Sequence, residues 1–386
     1  MIDFKQIVQE QKQRTIDMRR ELHRIPETAF CEQKTSAFVS DCLRSLGLKV
    51  ETGIAKTGVV GLLELGKEGK TLMIRADMDA LPVQENTGLP FASAHDGVMH
   101  ACGHDAHMAI ALGAASILSR FKGEWKGNIK FVFQPAEEGP GGAKPMIEAG
   151  VLENPKVDFV TGCHLHDGAE GTIGVRPGCV LAANDRFELN IIGKGGHGAM
   201  PHLCVDPIDV GVQVINALQR MASRQINPVS PVVMTIGSFH AGTAFNIIPG
   251  EAEMSGTTRT FDRTIWDSWQ ERMERIIKGV CEAMGAGYEF NFFRGYPPTV
   301  NHEPLLEIVR RCASQVVGEG NVFEQEPIMA GDDIAYFLEK VPGFFFFLGV
   351  GRENSVPLHN SRFDFNEEVL VRGVEMYLRL AHELLK

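Results

Sequence analysis

The chain has 386 residues, of which 44% are hydrophobic and 23% are charged, a composition typical of globular proteins rather than of disordered chains. Its length favours two or three domains. The formal net charge is −11, and the sequence contains no block of lysine and arginine. We therefore expect neither a nucleic acid nor an anionic membrane as a partner, since both require a concentrated basic surface.

Targeting signals and disulfides are not expected. The N-terminal stretch is charged throughout and lacks the apolar segment of a secretory signal. The apolar runs are shorter than the roughly 18 residues of a membrane-spanning helix. Eight cysteines are scattered without a CxxC pair, which favours reduced thiols. These features predict a cytoplasmic protein.

Helices and strands alternate in the first part of the predicted structure. Two amphipathic helices extend from Ile2 to about Gly47, and they are followed by strands 58–65 and 71–76, helix 101–120, strand 128–134, helix 143–149 and strand 157–164. This alternation predicts an α/β layer with a mostly parallel sheet. Ligands of such sheets bind at the carboxyl ends of the strands, so the polar residues that follow the strands are candidate site residues.

The middle of the chain follows a different order. The patterns predict strand 186–195, helix 207–223, strands 231–239 and 250–261, helix 264–285 and strand 288–294. This β-α-β-β-α-β order is typical of a ferredoxin-like domain. The α/β alternation then resumes with helices 303–317 and 331–339, strand 344–350 and a final helix from Asn366.

The predicted fold is therefore one domain inserted into another. We expect a catalytic α/β domain with a mixed sheet and helices on both faces, formed by residues 1–183 and 298–386. Residues 184–297 form the inserted ferredoxin-like α+β domain, bracketed by Asn184 and the Pro297-Pro298 pair.

The densest polar cluster is HACGHDAHM, residues 100–108, where a loop enters an apolar helix. Cys102 and His104 are two residues apart in a loop and can point at one ion, and Asp105 and His107 are near enough to bind it or to support its ligands. Thiolate, imidazole and carboxylate together suit zinc or a neighbouring transition metal. The alternative is a polar helix cap beside a buried cysteine.

A second cluster, QPAEEG, follows the strand that ends at Gln134. Of its two carboxylates, Glu137 and Glu138, one can bind a metal while the other acts as a base towards water. The alternative is a solvated surface pair, but the position directly after a buried strand favours function.

Two further histidines, His164 and His359, also follow apolar strands. With them the candidate ligands number five, which is too many for one tetrahedral site and suits two metal ions: Cys102, His104, Glu138, His164 and His359. Asp77 and Asp79 lie on one face of a strand, where a carboxylate can orient a ligating imidazole. Asp79 can alternatively belong to a simple turn.

Ordered motifs along nearly the whole chain resemble the M20 metallopeptidase family, and within it the aminoacylase, hippurate hydrolase and auxin-conjugate hydrolase branch. The motifs are RRELHRIPE, RADMDALP, GVMHACGHDAHM, FQPAEEGPGGA, GKGGHGAMPH, FNIIPGEAEMSGTTRTFD and PLHN. The resemblance implies a lid inserted into a catalytic domain and the same five ligands. It also implies that Glu137 is the general base and that Asp79 supports the metal centre.

The sequence departs from the branch at two places, both of which bear on acyl specificity rather than on the ligands. His164 stands in HLHDG, where the branch usually has His-x-Trp-Pro, and Asp332 stands where relatives often have glutamate.

The inserted domain contributes three further candidates. His197 lies in a glycine-rich loop and is a candidate oxyanion donor. Arg259, with Asn246, is a candidate to hold a substrate carboxylate, since a guanidinium binds carboxylates through two parallel hydrogen bonds. Without the resemblance, His197 and Arg259 would be read as ordinary surface residues.

The resulting prediction is a metal-dependent amidohydrolase that cleaves N-acyl amino acids with two divalent ions of zinc, manganese, cobalt or nickel. Water activated at the metal centre loses a proton to Glu137 and attacks the amide carbonyl. The alternatives are a dipeptidase or carboxypeptidase with the same centre, a hydrolase with Cys102 as nucleophile, and a non-catalytic metal-binding protein.

We also expect a homodimer or a higher homo-oligomer. The inserted domain has an edge strand that can pair with a second copy, and symmetric dimers are the commonest oligomers. The resemblance implies dimerisation through this domain, with His197 reaching into the neighbouring copy's site.

Overall fold

The computed structural model describes residues 2–385, and for Lys67 it describes only the backbone. The chain forms two compact units. The larger unit comprises Met1–Gly178, Val300–Glu326 and Asp333–Lys386, and the smaller comprises Cys179–Thr299 and Pro327–Asp332. The smaller unit thus begins at Cys179, before the predicted boundary at Asn184, and it includes Pro327–Asp332. This second segment belongs to it because the amide of Ala182 donates to the carbonyls of Ile328 and Ala330.

The helices are spread over both units. In chain order they are α1 (Phe4–Arg24), α2 (Gln33–Ser45), α3 (His104–Leu118), α4 (Ala143–Glu148), α5 (Pro207–Arg224), α6 (Arg263–Met284), α7 (Leu306–Val317), α8 (Ala335–Lys340) and α9 (Leu370–Leu384).

The strands range from two to eleven residues in length. In chain order they are β1 (Lys49–Ile54), β2 (Gly58–Glu64), β3 (Lys67–Asp77), β4 (Lys126–Gln134), β5 (Phe159–Ala169), β6 (Ile173–Val175), β7 (Gly178–Leu181), β8 (Ala183–Ile192), β9 (Gly196–His197), β10 (Val232–Ala241), β11 (Ile247–Ile248), β12 (Glu251–Thr260), β13 (Gly287–Arg294), β14 (Thr299–Asn301), β15 (Val322–Glu324) and β16 (Gly343–Gly351).

The larger unit is built on a mixed sheet which, within residues 2–385, has eight strands in the order β1-β2-β4-β3-β5-β16-β6-β15. Its four central strands, β4, β3, β5 and β16, are parallel to one another. Antiparallel pairs flank them, β1 with β2 and β2 with β4 on one side and β16 with β6 on the other. The carboxyl ends of the four central strands consequently meet at one edge.

Helices cover both faces of this sheet, because side chains alternate along each strand. Leu72 and Ile74 of β3 belong to the core shared with α1, α3 and α9. On the opposite face, Gly162 of β5 lies so close to the residue before α8 that a Cβ there would stand 2.7 Å from Ile334 Cδ1. A glycine is therefore required at this crossing.

Helix α3 is the centre of the larger unit, since all its residues from His104 to Leu118 are buried. A helix that is apolar all round is stable only where other elements surround it. Gly113 permits the close approach of two neighbours, because a Cβ there would lie 2.9 Å from Thr15 Oγ1 of α1 and 3.0 Å from Val374 Cγ2 of α9.

The smaller unit has an antiparallel sheet in the order β10-β12-β8-β13, with α5 and α6 packed on one face. Strands and helices follow each other as β-α-β-β-α-β, the order and sheet arrangement of ferredoxin-like folds. Helix α6 begins after Asp262, whose side chain accepts hydrogen bonds from the amides of Thr264 and Ile265, and it ends at the left-handed Gly285. In the two-stranded β9–β11 ladder, His197 pairs with Ile247.

Candidate metal centre and active site

The carboxyl ends of the central parallel strands carry most of the candidate site residues. Asp77 ends β3, the Glu137-Glu138 pair follows β4, His164 lies in β5 and His359 lies in the loop after β16. Cys102 and His104, at the start of α3, complete the group. The larger unit therefore brings together the five candidate ligands of the sequence analysis.

The donor atoms of these residues converge. Cys102 Sγ lies 3.4 Å from His164 Nε2 and 3.2 Å from His359 Nε2, and the latter nitrogen lies 3.1 Å from Glu138 Oε1. Cys102, His104 and Glu138 also offer donor atoms within 4.8 Å of one another. Tetrahedral metal bonds of about 2.0–2.3 Å separate neighbouring donors by about 3.3–3.8 Å, so this set fits a transition-metal ion.

Backbone carbonyls orient two of the imidazoles. His104 Nδ1 lies 2.8 Å from the carbonyl oxygen of Asp79, and His164 Nδ1 lies 2.7 Å from that of Leu165. Since a carbonyl oxygen only accepts, each Nδ1 carries a proton, which leaves Nε2 as the ring nitrogen available to a metal ion. His104 Nε2 is buried without a hydrogen-bond partner among residues 2–385. An unpaired buried nitrogen of this kind is what a metal ligand requires.

His107 is placed among the same groups, but both of its ring nitrogens are engaged. Its Nδ1 donates to Asp77 Oδ1 at 2.6 Å, and its Nε2 accepts from the amide of Leu165 at 3.0 Å. Of the two roles that the sequence left open for His107, the geometry therefore favours support of the site. The Arg75 guanidinium also donates to Asp77 at 2.7 Å. Against the effect of burial, His104, His107 and Arg75 hold the pKa of the Asp77 carboxyl well below its usual range.

Asp105 does not face the metal candidates, and the expectation that it binds or supports the ion directly is wrong. Its Oδ2 lies 2.7 Å from Arg19 Nε and 2.7 Å from His23 Nδ1, both on α1. His23 Nε2 in turn lies 3.3 Å from Glu85. Burial lowers the pKa of His23, but Asp105 and Glu85 outweigh burial and raise it above its ordinary value.

This buried ion network was not predicted from the sequence, in which its local sign is the spacing of two basic residues on α1. Arg19 and His23 are four residues apart and so share one face of α1. Both are fully buried, which places two basic residues on the helix face that packs into the core.

Asp79 fixes the loop that carries the two glutamates. Its Oδ1 accepts from the amide of Glu137 at 2.9 Å, and its Oδ2 accepts from the amide of Glu138 at 3.0 Å. Through its backbone carbonyl the same residue also orients His104. A second buried carboxylate, that of Asp333, accepts from Gln134 Nε2 at 2.6 Å and from the amide of Ala143 at 2.9 Å, and so holds both ends of the same loop.

The charges of the site favour a bound cation. Burial lowers the pKa of His104, but Asp77, Asp79 and Glu138 outweigh burial and raise it to about 10. Burial and the carboxylates of Glu138 and Glu137 raise the pKa of the Cys102 thiol well above its ordinary value. The donors thus attract positive charge, which a bound divalent ion would supply.

The three remaining candidates lie in the smaller unit. His197 on β9 and Asn246, directly before β11, are exposed, and the amide of Gly198 donates to the carbonyl of Asn246. Arg259 is half-buried on β12, and its Nη1 donates to Thr257 Oγ1 and to the carbonyl of Thr258.

These three residues do not form one cluster within the smaller unit. Arg259 pairs with Asn184 at one end of the sheet, while His197 and Asn246 lie beyond the Glu251–Ile192 pair at the other end. Glu251 and Arg259 are eight positions apart on β12, or about 27 Å at the rise of an extended strand.

The model of the peptidase family M20/M25/M40 matches residues 73–383 of this chain. The chain belongs to the M20 peptidase family. This confirms the resemblance drawn from the motifs, and this M20 protein is accordingly a hydrolase that acts on amide bonds. None of its helices within residues 2–385 has the length and apolar character that crossing a membrane demands.

Three relatives of this M20 protein indicate the range of the family. It is 48% identical to an N-acyl-L-amino acid amidohydrolase of Geobacillus stearothermophilus, with 78% of this chain and 81% of the relative covered. It is 44% identical to thermostable carboxypeptidase 1 of Saccharolobus solfataricus, with 96% of this chain and 94% of the relative covered. A crystal structure of a dinuclear metal-binding M20 peptidase from Bacillus subtilis superposes with a TM-score of 0.85, at 36% identity over 98% of this chain and 99% of that one.

Proposed function

We propose that this M20 protein hydrolyses N-acyl amino acids with two divalent transition-metal ions, of zinc, manganese, cobalt or nickel, held by Cys102, His104, Glu138, His164 and His359. The observation that carries the proposal is the convergence of a thiol, imidazole nitrogens and a carboxylate beside a second glutamate. Bound ions of this type supply Lewis acidity, which polarises the amide carbonyl and lowers the pKa of water.

Glu137 is the proposed general base. It is 6% exposed, and its Oε2 lies 4.0 Å from His104 Nε2, so the carboxylate stands at the edge of the ligand set. Asp79 fixes its backbone amide. Glu137 takes a proton from the attacking water and delivers it to the nitrogen of the leaving amino acid.

Cys102 is proposed as a ligand and not as a nucleophile. The thiolate is the reactive form of cysteine, and the raised pKa of Cys102 keeps its thiol protonated unless a metal ion is bound. The alternative of a cysteine hydrolase is therefore disfavoured. The free state of all eight cysteines supports a reducing compartment, and we propose the cytoplasm.

Arg259 is the proposed partner of the substrate carboxylate, and His197 is the proposed oxyanion donor, with Asn246 beside it. Since Arg259 lies at the opposite end of its sheet from His197 and Asn246, one smaller unit does not bring all three to the same small substrate. We therefore propose a homodimer in which a second copy provides His197 and Asn246. Exposed apolar side chains near His197 support this contact: Met200, Leu203, Phe245 and Ile247.

A carboxypeptidase is the second candidate function, because the Saccharolobus relative carries that name. The two functions differ in what precedes the cleaved bond, an acyl group or a peptide. The test is to measure kcat/KM for acetyl- and benzoyl-amino acids against N-blocked dipeptides of the same C-terminal residue, in each of the four metals. Higher kcat/KM for the acyl amino acids supports the amidohydrolase, and higher kcat/KM for the peptides overturns it. Full activity in excess chelator would overturn both.

A further inference from the structure

Three consecutive backbone amides follow β4, and two buried carboxylates accept all three of them. Asp79 accepts from Glu137 and Glu138, as described, and Glu32 Oε1 accepts from Ala136 at 2.9 Å. We propose that Glu32 is a positioning residue for Glu137, which it holds in place through the amide of Ala136. This inference rests on the proposed function, because it takes Glu137 as the base.

The Glu32 side chain bonds to the loop after β4 and not to helix α2. It is the residue directly before α2, a position where side chains commonly cap the first amides of a helix. Its side chain makes no such cap. It is fully buried, and its second oxygen, Oε2, accepts from Thr57 Oγ1 at 2.6 Å. Both oxygens are therefore engaged, and the carboxylate is held firmly against the loop.

Ala136 explains why the loop needs this acceptor. Its φ of 59° lies in the left-handed region, which is unfavourable for a residue with a Cβ. In this conformation successive amides point to one side and form a concave anion site. The two carboxylates fill that site. An Ala136 amide without an acceptor would be buried and unpaired, which favours rotation of Ala136 and displaces the next residue, Glu137.

The chain offers a matched control at the same helix start. Glu27 Oε2 accepts from the amide of Thr35 at 3.0 Å and from Thr35 Oγ1 at 3.1 Å. Its carboxylate thus also holds a backbone amide, but that amide belongs to α2 and not to the loop after β4.

The test compares Glu32→Gln, Glu32→Asp and Glu27→Asp. Gln keeps the length of the side chain and a carbonyl acceptor for the amide of Ala136. Asp keeps the charge, but its side chain is one methylene shorter, so its carboxylate lies farther from that amide. A displacement of about 1 Å in a catalytic group costs about 100-fold in rate. We therefore expect Glu32→Asp to lower kcat by about 10- to 100-fold with little change in KM, and Glu32→Gln and Glu27→Asp to stay within about 3-fold of the wild type.

Amide hydrogen exchange provides a readout that does not depend on activity. Peptides covering residues 133–142 should exchange faster in Glu32→Asp than in the wild type, Glu32→Gln or Glu27→Asp. A kcat higher for Glu32→Asp than for Glu32→Gln, or equal loop exchange in all variants, would overturn the inference. Retained turnover in Glu137→Gln would instead overturn the proposed function, and the exchange result would still stand by itself.

Discussion

The Nδ1 proton of His104 is donated to the backbone carbonyl of Asp79, 2.8 Å away, and the carboxylate of the same Asp79 accepts the amides of Glu137 and Glu138. One residue thus orients an imidazole of the candidate metal centre and also fixes the loop of the proposed base. The geometry of the two halves of the site is coupled through Asp79.

Replacing Asp79 by asparagine should destabilise the protein. The two carboxylate oxygens accept two amides, and the amide group of asparagine presents a donor to one of them. A buried unpaired donor costs about 1–3 kcal/mol, which is the expected loss in the free energy of unfolding, measured by urea denaturation in excess chelator. Asp158→Asn is the control, since Asp158 accepts the single amide of Thr71 at 2.8 Å and asparagine can still do so. Equal losses in the two variants would contradict the prediction.

Replacing Glu137 by glutamine should abolish most turnover without removing the metal. Glutamine preserves the shape of the side chain but cannot accept a proton from water. General base catalysis contributes about 10²–10⁴-fold, and kcat should fall by this amount while elemental analysis shows unchanged metal content. A variant with near-normal turnover would show that another carboxylate is the base.

The contribution of His23 to stability should decrease with rising pH. The carboxylates of Asp105 and Glu85 raise its pKa in the folded state despite burial, so charged His23 stabilises the fold fully below the unfolded pKa of about 6.5. That contribution is lost as the pH rises through the higher folded value. The difference in unfolding free energy between the wild type and His23→Gln, measured in chelator from about pH 5 to about pH 9, should therefore shrink. A difference that grows with pH would contradict the assignment of a charged imidazole.

Two inactive variants should complement each other if His197 acts in the neighbouring copy. His197→Ala and Glu137→Gln are each expected to be nearly inactive alone. In a mixture refolded at equal concentrations, half of the dimers are mixed, and one of their two sites combines intact His197 with intact Glu137. The mixture should recover about a quarter of the wild-type activity. Inactive heterodimers, or a wild type that is active as a monomer, would show that His197 acts within its own chain.

The positions of the candidate ligands could be predicted because local patterns carry them. Each apolar strand and the polar residues after it are visible in the sequence, and the carboxyl ends of parallel strands share one edge. Glu138 follows β4 in this way, whereas His164 lies within β5, and Cys102 and His104 belong to the polar cluster where a loop enters helix α3. His359 lies in the loop after β16 and follows the same rule, because β16 pairs in parallel with β5 and its carboxyl end lies at the same edge.

The supporting contacts could not be predicted in the same way. Glu32 meets Ala136 across about a hundred residues of chain, and Asp105 meets His23 through the packing of two helices. Hydrophobic periodicity records which face of an element is buried, but it does not record which partner that face meets. Such pairings become visible only in the folded chain.

The start of helix α8 shows the same limit. The sequence pattern predicts a helix from residue 331, whereas the helix begins at Ala335. The Asp333 carboxylate accepts from Arg75 Nη2 at 3.0 Å and also bonds to the loop after β4. These contacts with distant residues hold the segment before Ala335 in place, and local helix propensity does not reveal them.

Helix α3 has a consequence for how ions would exchange at the proposed metal centre. Cys102 and His104 sit at the start of a helix whose residues are all buried, so they cannot move apart without opening the core of the larger unit. His359, by contrast, has 54% of its side chain exposed and stands on a left-handed backbone with φ of 67°. We therefore expect ions at the proposed centre to enter and leave past His359, with the loop after β16 governing their exchange and the buried residues governing their affinity.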